Sequence, residues 1–497
     1  MRTPFFLLAI TACGGTAVVD HLEEGKGGGM VTAASVTAGV SSGGMGGGGG
    51  AEPGGAPPIP PLVEVDVGDV GLGMPVDFEL PQGALGLTAI ATPPNPVNEV
   101  GFLQVAAPDA TAIIQSFGVV GTLWEFNRQG TIAAAMPITD HPQAMPLMPG
   151  TWSFVVDSDA PTNVAHLSLW YRQTLDGKFH GGVIDVNFYV VTGAGDESYL
   201  GQIAESALDG FAGLKLGTVR YFGLGNEFST IDFGNFHDLM TETAGAPGKP
   251  ALNVMVVDYI DTPNMPLGFS PGAPGNALED GTYQSGLVMM LSGDFNLDRV
   301  VLRHETGHFA GLMHTSEVEA GYGDVLADTP LCPDVPNLLQ ACPDITNLMF
   351  PYADPFNPMV LTPEQSTVVQ ASALYRGAVE EGGGYAAPLD GESSSDARPW
   401  PASRVASKVA SQSPASSRFL SALWCGHSPA PWSILASLGV TPNELEAMAF
   451  DRSLPVYQRA RAAAAAARLG RKAQVAPLAH DPSEPRALRI AVGRALR

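Results

Sequence analysis

The residues of this chain that could carry chemistry are concentrated in one short segment, from His304 to His314. The segment follows a stretch with a capping residue and helical character, so His304 and His308, four positions apart, project from the same face of a predicted helix. Gly311 allows the helix to end and the chain to turn, which would bring His314 in as a third nitrogen ligand. Three neutral imidazoles suit Zn²⁺ and leave a fourth coordination position for water. Glu305 stands next to a ligand without being one, so it could accept a proton from that water.

These eleven residues, HETGHFAGLMH, match the signature HExxHxxGxxH, and the chain therefore resembles the metzincin zinc metallopeptidases. The resemblance implies an α+β catalytic domain with a methionine turn beneath the metal. Met349, in the sequence NLMFPY, stands 35 residues after His314. A lone methionine more often fills a core, but this spacing and setting favour Met349 as the residue of the Met-turn.

The segment between these two motifs indicates a narrower group. The sequence GDVLADTP at 323–330, followed by Cys332 and then by NLM at 347–349, is similar to the pappalysin-type (cytophagalysin-like) metzincins. The resemblance implies that Asp324 and Asp328 lie near a bound Ca²⁺. The alternative is that they are solvated loop carboxylates that cap turns.

The loops on both sides of Met349 carry two further predictions. The pappalysin-type family usually has a tyrosine two residues after the methionine, whereas here Pro351 takes that place and Tyr352 follows it. Tyr352 is therefore the candidate for stabilising the oxyanion of the reaction. Cys332 and Cys342 lie ten residues apart in a proline-rich loop and could close a small disulfide.

The amino terminus has the pattern of an export signal. Arg2 is followed by a short apolar stretch, residues 5–12, and then directly by Cys13. Residues 10–13, ITAC, resemble the lipobox of bacterial lipoproteins, in which the cysteine is lipidated; the alternative is an ordinary cleaved signal with a chance cysteine. We expect an exported protein of the cell envelope, an outer-membrane lipoprotein anchored through Cys13 or a secreted protein.

Short segments in which apolar and polar residues alternate precede the metal motif, and segments with helical spacing of apolar residues follow it. Trp152, Phe154 and Val156 share one face of a predicted strand, which favours an antiparallel β-sandwich that is a binding module or a removable pro-segment. Two similar helical units 30 residues apart resemble HEAT-like repeats. The predicted fold is therefore multidomain: a signal peptide with lipobox (1–13), a Gly/Ser/Ala-rich tether (14–60), a β-sandwich-like domain (61–181), an α+β metzincin-like zinc metallopeptidase domain (182–376), a linker (377–417) and a small α-helical HEAT-like tail (418–497).

Composition restricts the partners. The chain has 50 acidic and 25 basic residues, a formal net charge of −25, which argues against nucleic acid as a partner. The expected function is a zinc-dependent endopeptidase that acts on extracellular proteins or peptides. The alternatives are a cell-surface binding lipoprotein with a vestigial zinc domain and a hydrolase acting on a non-protein bond. The oligomeric state stays open.

Overall fold

The computed structural model describes residues 34–36, 62–115, 127–139, 145–158, 162–174, 176–232, 234–261, 266–316, 323–330, 342–351, 358–377, 441–452, 454, 456–484 and 486–496. The fold is mixed α/β, with several sheets and helices. No helix in these ranges is long and apolar enough to cross a membrane.

The first part of the described chain is built of strands. In chain order they are β1 (Ala34–Val36), β2 (Val63–Gly71), β3 (Pro75–Leu80), β4 (Ala84–Thr92), β5 (Glu99–Ala106), β6 (Ala112–Gln115), β7 (Asn127–Gln129), β8 (Ile132–Met136), β9 (Gly150–Ser158) and β10 (Val164–Gln173). One sheet has the order β1-β3-β9-β5-β6 with β7 beside β5, and the other has the order β2-β10-β4-β8. Apart from the parallel pair β1 and β3, the neighbouring strands are antiparallel.

These two sheets share one apolar cluster, as the alternation of their sequences predicts. Trp152, Phe154 and Val156 are all buried in it, together with Leu167 and Leu169 of β10. The strand β1 lies inside the predicted tether, where the sequence indicates no secondary structure. The boundaries assigned to the β-sandwich-like domain and its neighbours stay predictions.

A third sheet carries the candidate site. Its part of the chain contains the strands β11 (Val183–Val191), β12 (Lys215–Leu224), β13 (Thr230–Ile231), β14 (Leu252–Val257), β15 (Tyr259–Ile260), β16 (Gly268–Phe269) and β17 (Leu287–Met290), and the helices α1 (Glu197–Leu208), α2 (Phe236–Thr241), α3 (Phe295–Phe309) and α4 (Pro363–Ala371). The sheet order is β12-β11-β14-β17-β16, parallel except for the antiparallel edge strand β16. The central strands β11 and β14 are buried along their whole length, as expected of strands covered on both faces.

The helix α3 follows β17 and packs on this sheet and on α1. The Asp294 side chain caps its amino end by accepting from the amides of Asn296 and Leu297. Two turns of buried side chains follow, and they include Leu297 and Val301. Because α3 is anchored at its start and along one face, its second half holds the motif histidines in a fixed position.

Four helices form the carboxy-terminal part of the described chain: α5 (Pro442–Phe450), α6 (Val456–Ala466), α7 (Lys472–His480) and α8 (Arg486–Leu496). They pack against one another, and Glu484 joins them by accepting from Arg452 and pairing with Arg459. Before α8, the Ser483 amide donates to the Asp481 side chain. Their resemblance to HEAT repeats stays a prediction.

Candidate metal centre

The end of α3 turns the chain back towards the helix. After Phe309 the helix stops, Gly311 has a φ of +110°, and the Leu312 amide donates to the Gly307 carbonyl. This positive φ is the reason for a glycine at 311, because a side chain is strained there. The turn brings His314 to the same side as His304, as the spacing predicts.

The three imidazoles meet at one point. The Nε2 atoms of His304 and His308 are 3.1 Å apart, those of His308 and His314 are 3.1 Å apart, and those of His304 and His314 are 3.2 Å apart. All three side chains are buried. Among the residues that the structure describes, they are the group that could hold a metal ion.

Hydrogen bonds on the far side of the rings fix two of the tautomers. The Nδ1 of His304 donates to the Leu348 carbonyl at 2.7 Å, and the Nδ1 of His308 donates to the Leu312 carbonyl at 2.8 Å. A neutral imidazole that donates from Nδ1 has a lone pair on Nε2. The Nε2 atoms of His304 and His308 therefore turn two lone pairs towards each other, an arrangement that a shared cation stabilises.

The protonation state favours metal binding as well. Burial, with the neighbouring His314 adding to it, lowers the pKa of His304 to about 3, although the hydrogen bond to Leu348 acts in the opposite direction. The ring is therefore neutral at physiological pH, as a metal ligand must be. Two nitrogen ligands at 2.0–2.1 Å from a tetrahedral Zn²⁺ are about 3.3 Å apart, so the observed spacings fit this ion.

Glu305 follows His304 directly on α3 and has no access to solvent. Its side chain is fully buried, and no side chain among the described residues hydrogen-bonds to either carboxylate oxygen. Burial raises the pKa of Glu305 well above its ordinary value, and the Ser270 backbone offsets only part of this increase. The edge strand β16 packs directly on it, since a Cβ on Gly268 would stand 2.8 Å from Glu305 Cγ. A buried, unpaired carboxylate is costly, and such a group next to metal ligands is typical of a functional site.

Met349 forms the floor beneath the histidines. It is fully buried, and a Cβ on Gly307, which lies between His304 and His308 on α3, would come within 2.5 Å of Met349 Sδ. The Met349 amide donates to the Asn347 side chain, and the Thr315 amide donates to the Met349 carbonyl. The turn around Met349 is thus tied to the chain just beyond His314. The role of Met349 as the residue of a Met-turn stays a prediction.

A chain of polar groups connects this turn to His314 by a second path. The Asn347 amide group donates to Gln365 on α4, and Gln365 donates to Asp324, whose side chain also accepts from Thr329. The Asp324 backbone amide donates to the His314 carbonyl at 2.8 Å. Asp324 therefore helps to position His314.

The structure lends no support to calcium at the predicted aspartates. Both Asp324 oxygens accept hydrogen bonds within the protein, and Asp328 accepts from the Glu364 amide at the start of α4. The described residues bring no further ligand group to them that could complete a cation site. Their contacts match the alternative of carboxylates that hold loops.

A residue that the sequence prediction missed also supports the histidine turn. Thr139, which follows β8 and is 1% exposed, accepts from the Met313 amide at 3.0 Å, and its hydroxyl lies 3.4 Å from the Gly311 carbonyl. Its own carbonyl accepts from the Val325 amide. No local pattern marks this threonine, because its partners lie more than 170 residues away in the sequence. The strand-rich part of the chain thus contributes to the metal centre.

Several predicted site residues lie outside the described residues, and their roles stay predictions. They are Cys13, Tyr352 and Cys332. Cys342 is disulfide-bonded, and its predicted partner is Cys332.

The fold and the site together define a mixed α/β layer in which one helix and the turn after it present three buried histidines, a group that could hold a metal ion. No family model and no curated protein matches this chain. Among solved structures, it is similar to an archaemetzincin from Methanopyrus kandleri, at 14% identity over 39% of this chain and 88% of the other, with a TM-score of 0.22. It is also similar to metalloproteinase-II from Bacteroides fragilis, at 10% identity over 42% of this chain and 63% of the other, with a TM-score of 0.26. Likenesses with TM-scores this low carry no weight of their own.

Proposed function

We propose that the chain is a zinc-dependent endopeptidase that hydrolyses peptide bonds of extracellular proteins or peptides, with Glu305 as the general base and acid. The observation that carries the proposal is the convergence of three buried imidazole Nε2 atoms, 3.1–3.2 Å apart. The helix that presents two of them also carries the buried Glu305 carboxylate. Catalysis of peptide hydrolysis needs a metal-bound nucleophile and a proton carrier next to it, and these four side chains are the types that supply both.

Each residue has a separate task in this mechanism. His304, His308 and His314 would hold Zn²⁺, which supplies a polarised water and a positive charge that favours the ionised form of Glu305. Glu305 accepts the proton of the attacking water and later delivers it to the leaving amine. The Ser270 backbone is the described group that acts on this carboxylate, and it offsets only part of the effect of burial on its pKa.

The residues around the ligands keep them in place for this reaction. The carbonyls of Leu348 and Leu312 hold two imidazoles in the tautomer that presents Nε2 to the metal. Met349 fills the space beneath α3 and does not contact substrate. Tyr352 remains a proposed oxyanion stabiliser, on the strength of the sequence resemblance alone.

The cellular setting proposed here comes from the sequence. An apolar stretch that ends in Cys13, followed by a tether rich in glycine, fits an exported protein anchored to the cell envelope through a lipidated cysteine. Mass spectrometry of the mature amino terminus tests this, because a lipidated Cys13 carries acyl chains and an ordinary signal cleavage leaves none.

The proposed activity is tested by digesting casein and a peptide library with the purified full-length chain. We expect cleavage that a chelator abolishes and that added Zn²⁺ restores. Glu305→Ala should keep one zinc per chain and lose peptide hydrolysis, while Glu205→Ala, an exposed glutamate on α1, should cleave as the wild type does.

The outcome also separates the proposed function from its alternatives. Zinc bound without cleavage of any peptide would favour a binding lipoprotein with a vestigial zinc domain, or a hydrolase acting on a non-protein bond. Cleavage that survives Glu305→Ala undiminished would remove Glu305 from the mechanism.

A further inference from the structure

A cavity of about 340 Å³ lies behind the metal centre, between α1, α3 and the segment at 358–360. Ser206 of α1 and Arg299 and Arg303 of α3 line it on one side, and Leu348 and Met359 line it on the other. It is separate from the space around the three histidines, although Leu348 borders both. The proposed peptidase function uses none of its polar groups.

The two arginines in this cavity have no anionic partner. They stand four residues apart on α3, so their side chains leave the same face of the helix. The Nε atom of each is buried and makes no hydrogen bond, and neither guanidinium forms an ion pair within the described ranges. By contrast, Arg220 and Arg376 both lie beside Asp185.

The charges of the surrounding chain make this pair unusual. The first 397 residues contain 45 acidic and only 11 basic residues, so carboxylates are abundant, yet none pairs with either arginine in the described part. Two adjacent positive charges that are partly removed from water repel each other, and a bound anion would relieve this cost.

We propose that this cavity binds a phosphate-type dianion, either inorganic phosphate or a phosphate monoester. Two guanidinium groups carry two positive charges and can donate to several oxygens at once, which matches a dianion better than a single carboxylate. Ser206 adds a hydroxyl that can donate or accept at the same wall. The remaining walls are apolar, as in most small-molecule sites, and the volume leaves room for a small organic group on the phosphate.

Isothermal titration of the zinc-loaded full-length chain with inorganic phosphate, in chloride buffer, tests this proposal. We expect a Kd below about 1 mM for the wild type and a loss of about tenfold in affinity for each arginine removed, measured with R299Q, R303Q and the double variant. The control variant K178Q/K215Q removes the same charge from two exposed lysines outside the cavity and should bind phosphate as the wild type does.

Further arms separate the possible results. Binding of phosphoserine with the same dependence on the arginines would identify phosphate monoesters as the ligands, and its absence would identify free phosphate. Phosphate bound at the zinc ion would survive in R299Q/R303Q, so an affinity that is unchanged in this variant overturns the proposal. Acetate binding as tightly as phosphate, or an equal loss in K178Q/K215Q, also overturns it. Zinc content of one per chain in every variant shows that the fold is intact.

Discussion

Replacing Thr139 by valine should weaken zinc binding, although Thr139 lies more than 170 residues before the histidine turn in the sequence. Valine has nearly the shape of threonine, so packing changes little, but the hydroxyl that accepts from the Met313 amide at 3.0 Å is lost. Met313 is 5% exposed, so its amide is left without a partner in a buried setting. An unsatisfied buried donor costs about 1–3 kcal/mol.

The unsatisfied amide should destabilise the conformation in which His314 lies next to His304 and His308. Met313 directly precedes His314, and the hydroxyl also lies 3.4 Å from the Gly311 carbonyl in the same turn. If the whole cost opposes this arrangement, zinc affinity falls by roughly 5- to 140-fold, since about 1.4 kcal/mol corresponds to a factor of ten. Losses of this size are typical when a group that orients a metal ligand is removed.

The assay is a competition between the apoprotein and a chromophoric chelator for Zn²⁺, with Thr139→Val beside the wild type. Thr131→Val is the matched control, because Thr131 is also buried in the strand-rich part, and its hydroxyl bonds to Gly130 and Thr92 rather than to the metal motif. A Thr139→Val protein with wild-type zinc affinity, or an equal loss in Thr131→Val, would refute the reasoning.

Two further substitutions test the surroundings of α3. Gly307→Ala places a methyl group 2.5 Å from Met349 Sδ, so we expect a loss of about 1–3 kcal/mol in unfolding free energy. The control Gly493→Ala, on α8 with open space around it, should be neutral or stabilising. Equal melting temperatures for the two variants would contradict this packing. Burial raises the pKa of Asp298 to about 6, although hydrogen bonds from Ser292, Tyr199 and Gly293 act in the opposite direction. The folded state therefore favours the protonated form of this carboxyl group. The stability that this preference contributes is present below pH 4 and is lost as the pH rises to 6. Relative to Asp298→Asn, the wild type should therefore lose on the order of 3 kcal/mol between pH 4 and 6.5 in chemical denaturation, and parallel pH profiles of the two proteins would contradict this.

The local features of the site could be predicted because they depend on short-range geometry. Residues four apart on a helix share a face, and a glycine three residues further on permits the turn, so His304, His308 and His314 follow from spacing alone. The strand alternation at Trp152, Phe154 and Val156 predicts burial for the same reason.

Features that depend on distant partners could not be predicted in this way. Nothing in the sequence around Thr139 indicates that it will meet Met313, and Arg172 is buried against Tyr375, whose carbonyl accepts from its guanidinium. Asp324 illustrates a different difficulty: its sequence setting suggests a cation, while its hydrogen bonds to Thr329 and Gln365 are visible only in three dimensions. The edge strand β16 has only two residues, which is too short to show the alternation of apolar and polar residues by which a strand is predicted.

X-ray absorption spectroscopy at the zinc edge of the full-length chain tests the central claim most directly. We predict one zinc per chain with a first shell of three imidazole nitrogens at about 2.0–2.1 Å and one oxygen. Zinc bound through sulfur at about 2.3 Å, or through fewer than three imidazoles, would contradict the assignment of His304, His308 and His314 as its ligands.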